Sequence, residues 1–253
     1  MNKISLILLF VSSTILANED TTEAPEGRNG PPTGFIYGAG VAYQQQIYKG
    51  FDQRTIAIPL LGYVGKKFNV FGPFVNYTVM RNEDWNFDLN LSPRFNGYEE
   101  DDSEFFLGMQ ERKDSLDAGF TVKYNPNSWS YQFKALADVL SKSSGSELEF
   151  NIAKKFKVNA LTIEPSVSFN RLDENMVDYY YGVTQDEATE LRSFYEGSST
   201  TNKSLNMSIS HPIPIGLIRL DINNTWFGSG ISDSSLVDDD KALSARLFFI
   251  GFF

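Results

Sequence analysis

The sequence predicts an all-β protein, a transmembrane antiparallel up-and-down β-barrel of about twelve strands, with ten as the alternative. Three observations lead there. Segment after segment alternates apolar and polar residues with a period of two. The N-terminus is built like an export signal. The last residues, ALSARLFFIGFF, form a strand with one dry face, Leu243, Ala245, Leu247, Phe249, Gly251 and Phe253, against Ser244 and Arg246.

The chain divides into three parts. MNKISLILLFVSSTILA carries Lys3, an apolar run from Ile4 to Val11, then small residues up to Ala17. It reads as a signal peptide over residues 1–17, because the run is shorter than the roughly 20 residues a spanning helix needs. Residues 18–34, NEDTTEAPEGRNGPPTG, are acidic and rich in Pro and Gly, and read as a flexible leader. Residues 35–253 show no later linker and form one domain, the barrel.

Within that domain the alternation names the strands. WNFDLNLSPRF sets Trp85, Phe87, Leu89, Leu91, Pro93 and Phe95 against Asn86, Asp88, Asn90, Ser92 and Arg94. SLDAGFTVKY sets Leu116, Ala118, Phe120, Val122 and Tyr124 against Ser115, Asp117, Thr121 and Lys123. LTIEPSVSFN and LIRLDINNTWF repeat the pattern, with Glu164, Arg219 and Asp221 on their polar faces. Weaker versions occur at 35–44, 129–139, 147–153 and 205–210. A soluble sandwich would turn the dry faces inward. Export, aromatics at strand ends such as Trp85, Trp129 and Trp226, and the terminal amphipathic strand favour the membrane arrangement, with dry faces to lipid and polar faces to the lumen.

The connections alternate in length. Long ones fall at 96–113, 141–146, 172–203 and 228–241, and short ones at 81–84, 125–128, 156–158 and 211–214. Short turns belong on the periplasmic side of such barrels, and both termini there require an even strand number. The run 56–80 is ambiguous. Three strands, two of them short and meeting at Gly72-Pro73, bring the count to twelve. The one expected helical turn is Asp186–Tyr195, inside the longest connection.

Composition narrows the chemistry. The formal net charge of -10 argues against a nucleic-acid partner. With no cysteine and one histidine, thiolate chemistry is excluded and little material remains for a zinc site. His211, in SHPIPIG, reads as part of a periplasmic turn, the wrong end for a barrel hydrolase. The acidic runs Glu99–Glu104 and Asp238–Asp240 have the residue types calcium prefers, but charge runs in loops are usually solvated.

Several pieces, in order, resemble the MipA/OmpV family of outer-membrane proteins. These are YKGFD (Tyr48–Asp52), IPLLGY (Ile58–Tyr63), FFLGMQERKDSLDAGF (Phe105–Phe120), YYYGVTQDEA (Tyr179–Ala188), SDSSLV (Ser232–Val237) and the closing strand. Ser235 stands where that family usually has proline. The resemblance covers essentially the whole mature chain. It implies a barrel in the outer membrane of a Gram-negative bacterium, with lipid and lipopolysaccharide around it. It also implies a scaffold role linked to peptidoglycan-modifying enzymes, a lytic transglycosylase and a penicillin-binding protein. Porin-like and adhesive members make a small-solute channel or a surface adhesin the alternatives.

No catalytic residue, cofactor or metal is assigned, and the protein is read as a non-enzyme. Three residue sets carry the functional expectations. The lumen-facing charges Arg94, Asp117, Lys123, Glu164, Arg219, Asp221 and Arg246 either line an aqueous path or pair across a filled lumen, and pairing is preferred. Tyr179, Tyr180, Tyr181 and Gly182 open the longest loop, as a functional element or as a lid packed into the barrel mouth. Phe253 resembles the signal read by the barrel assembly machinery.

Overall fold

The structure, a computed structural model, describes residues 33–51 and 53–252. The signal peptide, nearly all of the leader and the assembly signal Phe253 lie outside the described residues. The first strand opens at Gly34, one residue before the expected start of the domain.

The strands are β1 (Gly34–Gln45), β2 (Gln53–Val64), β3 (Phe68–Phe71), β4 (Phe74–Arg81), β5 (Trp85–Arg94), β6 (Ser115–Tyr124) and β7 (Trp129–Asp138). Then follow β8 (Ser146–Lys154), β9 (Phe156–Val158), β10 (Leu161–Leu172), β11 (Thr200–Ile213), β12 (Gly216–Trp226) and β13 (Lys241–Phe252). Each pairs antiparallel with its neighbour, and β13 pairs with β1, from Ile36 opposite Phe252 to Gln44 opposite Ser244, so the sheet closes. β8 and β9 both pair with β10 and are two halves of one stave, which makes a closed barrel of 12 strands rather than ten. Ala153 lies opposite Ser166 and Phe156 opposite Ile163, so the break falls across from Pro165, which has no N–H to give. The turn expected at 156–158 therefore moves to residues 159–160.

The ambiguous run resolves into β2, β3 and β4, with Gly72-Pro73 as the hairpin between the two short strands. Their shortness leaves a notch. β2 is paired on the β3 side only from Gly62 to Val64, and β5 on the β4 side only up to Leu91. Both exposed edges carry a proline where a donor would have been orphaned. The Leu61 carbonyl accepts from Gly72 N at 2.9 Å, so odd residues of β2, Pro59 included, turn their backbone toward the notch. The Leu116 carbonyl accepts from Val139 N at 2.9 Å on the far side, so Pro93, opposite Leu116, also faces the notch. Unsatisfied donors in lipid cost several kcal/mol each, which is why these two edges read Pro.

The faces sort as the period requires. Asp117 is 1% exposed and Leu89, on the other face of the neighbouring strand, 47%. Polar side chains point to the axis and apolar ones outward. A rim of aromatics marks the short-turn end: Trp85 stacks on Tyr124 at 4.6 Å, and Tyr124 and Trp129 each stack on Tyr131 at 6.3 Å. The Lys154 ammonium sits 4.8 Å over the Trp129 ring. Rings with an apolar body and a polar tip hold this level at a bilayer interface.

The expectation of a polar lumen fails on one side. Ile36, Ile58, Leu60, Val64, Phe74, Leu217, Phe248 and Ile250 are buried together inside the barrel, behind the notch. Gly40 lies beneath the Phe248 ring, where a Cβ would collide with it. Apolar side chains on both faces of β2 explain why periodicity was unreadable there. Arginine at the outward-facing, mid-strand Leu247 is expected to cost about 2–4 kcal/mol in urea titrations of folding into vesicles. An unchanged midpoint would mean that this face does not meet lipid.

Candidate functional site: a capped lumen

The long connections do not stand apart from the barrel; they fold over its mouth. Loop 46–51 joins loop 227–240 through a bridge between Tyr48 and Val237, with Lys49 N donating to Leu236 O at 2.9 Å and Asp238 N to Ile47 O at 2.8 Å. The longest loop begins with helix α1 (Glu174–Tyr181), capped by Asp173, whose carboxylate accepts from Met176 N at 2.9 Å. Met176, Val177, Tyr180 and Tyr181 form its buried face, against Ile47, Leu172, Ile231, Val237 and Ala242. At the end of the helix only glycine fits at position 182, because a Cβ there would strike the Asp178 carbonyl. A second core holds Tyr98, Phe106, Met109, Val183 and Leu236. Tyr48 lies between the two, stacked on Tyr181 at 5.5 Å and edge-on to Tyr98 at 5.4 Å.

A charged clasp ties loop 95–114 to loop 173–199 across the mouth. The Arg112 guanidinium donates through both terminal nitrogens to Glu187 at 2.9 Å, and through Nε to the Tyr179 carbonyl at 2.8 Å. Glu187 also accepts from Gln110 N at 2.9 Å and Thr184 N at 3.0 Å. Burial disfavours charge on Glu187, but the hydrogen bonds from Arg112, Thr184 and Gln110 outweigh it and hold its pKa down to about 2. Arg192 completes the clasp by donating to the carbonyls of Phe105 at 2.5 Å and Leu107 at 3.3 Å. Burial raises the phenol pKa values of Tyr48, Tyr98 and Tyr180, and that of Tyr181 to about 12, so these four stay neutral. Ser235, at the position of the missing proline, donates to the Ser193 carbonyl at 2.6 Å and fastens two loops.

Beneath the lid the lumen is braced. Arg94, 2% exposed, donates to Asp117 and Glu147, each at 2.5 Å. Asn170 holds the other oxygen of Glu147 at 2.8 Å. Lys134 pairs with Glu149 at 2.8 Å, and Arg219 with Asp221 at 3.0 Å. Arg246 lies directly opposite Asp221. A cavity of about 300 Å³ remains between the lid and these pairs.

Of the expected lumenal charges, Arg94 and Asp117 come together in one network, and Arg219, Asp221 and Arg246 in another. Lys123 is buried in the field of Asp88 and Glu164. Tyr179, Tyr180, Tyr181 and Gly182 belong to the lid. Two expectations fail. The segment 186–195 is not helical, and the helix lies at 174–181, where Asp173 supplies a cap and an apolar face repeats at helical spacing. His211 is in β11 opposite Ile218, exposed on the outer face near the short-turn end, since the turn itself is at 214–215. Glu147, Glu149 and Lys134 went unnoticed although the alternation in SELEFNIAK places both glutamates on the lumenal face. Arg112 and Glu187 lie in two of the family-like stretches, but nothing in the sequence pairs them, because they are 75 residues apart.

Several known proteins are similar to this chain. The putative outer membrane protein YiaT of Escherichia coli K12 is 25% identical, covering 82% of this chain and 86% of the relative. Outer membrane protein OmpV of Vibrio cholerae is 23% identical, covering 92% and 93%. The MltA-interacting protein of Escherichia coli K12 is 23% identical over 83% of each. Among solved structures, the COG4313 outer membrane channel from Pseudomonas putida F1 aligns with a TM-score of 0.41 at 8% identity, covering 90% of this chain and 99% of that one. The family profile described as MltA-interacting protein MipA matches residues 37–250, and the chain, an outer-membrane β-barrel, belongs to that family.

Proposed function

We propose that this barrel is a non-enzymatic platform of the outer membrane. It anchors itself in lipid, keeps its lumen shut, and holds a peptidoglycan-modifying enzyme of the lytic transglycosylase class on its periplasmic side, with a penicillin-binding protein as a further partner. The carrying observation is the clasp of Arg112 on Glu187, which ties two loops across the mouth above lumenal charges that satisfy one another. A lumen so braced is poorly suited to conduction and well suited to rigidity. The partner class is supported by the name of the MltA-interacting relative. The non-enzymatic reading is supported by His211, which stands on the outer face away from the cavity. Lipopolysaccharide would meet the acidic loops through bridging divalent cations, and the assembly machinery the end of β13.

Crosslinking in intact cells, followed by purification from detergent extract, is expected to recover a lytic transglycosylase. Recovery of no cell-wall enzyme would overturn the platform reading. In planar bilayers the purified protein is expected to show no steady conductance. A steady conductance altered by Arg219→Ala would favour the channel.

A further inference from the structure

The cavity under the lid is lined unevenly. Its lining carries four arginines, Arg54, Arg94, Arg219 and Arg246, against two carboxylates, Glu149 and Asp221. Arg94 and Glu149 are already matched, by Asp117 with Glu147 and by Lys134. The remaining three arginines lie on one wall, from β12 through β13 and β1 to β2, with Asp221 among them.

Register places them. Arg246 of β13 stands opposite Asp221 of β12 on one side and Ala42 of β1 on the other. Arg219 shares the face of Asp221, two residues nearer the short-turn end. Arg54 stands opposite Gln44 at the lid end of β2. Below them this wall turns apolar. Phe248 lies opposite Arg219, and with Leu217 and Ile250 it belongs to the cluster that fills this side of the barrel. The lid closes the hollow from above with the rings of Tyr48, Phe51 and Tyr181.

Two guanidiniums share one carboxylate here, and Arg246 lies in the field of Asp221 and Arg219. Arg219 Nε donates to both oxygens of Asp221, at 3.0 and 3.1 Å, and Nη2 donates to Ser208 Oγ at 2.9 Å. Its Nη1 meets no acceptor among the described residues, yet it is not among the polar atoms sealed from solvent. The side chains of Arg219 and Arg54 keep 10% and 17% of their surface, where Arg94 keeps 2%. Arg54 lies 4.8 Å over the Phe51 ring and comes only within 3.8 Å of Asp102, longer than a hydrogen bond. A guanidinium is all donors in a planar fork, and the group that fits the fork is a carboxylate or a similar oxyanion. In a hollow shielded from bulk water that attraction is stronger than at an open surface.

The charges on the wall set the charge of the ligand. Arg219 and Arg246 against Asp221 leave one positive charge in excess, and one negative charge balances it. Across the hollow stand Asn151, Ser168, Asn202, Ser204 and Asn206, small uncharged groups that both donate and accept. A volume of about 300 Å³ is the lower end of small-molecule sites. We propose that the capped lumen binds a small hydroxylated monocarboxylate, its carboxylate on Arg219 and Arg246 and its hydroxyls on the amide and hydroxyl wall opposite. The site is separate from any partner docked at the periplasmic rim, and the two readings stand or fall independently.

The test is titration calorimetry on the full mature protein folded in detergent. The probes are glycolate, lactate, gluconate and glucuronate, with glucose and glucosamine as the neutral and cationic counterparts of gluconate. At least one carboxylate is expected to bind saturably at about 1 mM or tighter, with glucose and glucosamine at least about tenfold weaker. Arg219→Gln leaves Asp221 and Arg246 as a balanced pair. It is expected to weaken binding by more than about tenfold while the unboiled protein keeps its folded gel mobility. Asp221→Asn adds positive charge to the wall and is expected to tighten binding severalfold, a gain that misfolding does not produce. Failure of every carboxylate to saturate, equal binding of glucose or glucosamine, or unchanged binding in either folded variant would each overturn the proposal.

Discussion

Arg94→Met is expected to destabilise the folded barrel by about 3–5 kcal/mol, the cost of leaving buried carboxylates without their cation. Asp117 and Glu147 meet the same guanidinium at 2.5 Å, and their side chains are 2% and 1% exposed. They come from β6 and β8, so Arg94 of β5 braces three staves at once. Removing it strands two negative charges in a site that water reaches poorly. Urea-induced unfolding from vesicles, followed by loss of the compact band on unboiled gels, measures the loss. The triple variant Arg94→Met, Asp117→Leu, Glu147→Leu is expected to recover much of it, because replacing the whole network by apolar groups avoids the desolvation cost. Equal loss in single and triple variants would show that packing volume, not charge pairing, holds this level of the lumen.

Arg112→Ala is expected to open the lid without unfolding the barrel. Glu187 would keep its backbone donors at Gln110 and Thr184 but lose both guanidinium bonds, and the clasp across the mouth would be gone. A loss of about 3 kcal/mol in lid closure raises local opening on the order of a hundredfold. Amide exchange and proteinase cleavage in 99–108 and 184–199 would report it, while the strands stay protected. Acid is expected to act at the same point. The carboxyl of Glu187 is depressed from an ordinary 4.5 to about 2 in the folded lid. Its contribution is therefore complete above pH 4.5 and is lost as the pH falls from there through about 2. Lid exchange should rise across that window in the wild type and be flat in Glu187→Gln. A lid equally protected at pH 2 and pH 6 would contradict the assignment.

The walls of this barrel were legible because a half-buried strand writes its orientation every second residue. β5, β6, β10, β12 and β13 could be read residue by residue, and parity of the termini required an even number of staves, which the structure settles at twelve rather than ten. β2 and the β3–β4 hairpin resisted for a physical reason: Ile56, Ile58 and Leu60 pack inward while Ala57, Pro59 and Leu61 face out, so both faces are apolar and no period survives. Prolines at 59, 93 and 165 mark where a stave has no neighbour to donate to. The site was half legible. Alternation gives the direction of Arg94, Asp117, Arg219 and Asp221, but not which of them meet, since that depends on stagger between staves. The lid was the least legible part. Tyr180 and Tyr181 pack against residues from four other connections or strand ends, and Arg112 finds Glu187 only after the loops have crossed the mouth.

The account rests on which way each stave faces, and the chain has no native cysteine to complicate a direct reading. Single cysteines along β13 at Leu243, Ser244, Ala245, Arg246 and Leu247, labelled with a small fluorophore in vesicles containing brominated lipid, test it position by position. The account predicts strong quenching at 243, 245 and 247 and little at 244 and 246. Uniform quenching along the strand, or quenching at the even positions, would contradict it.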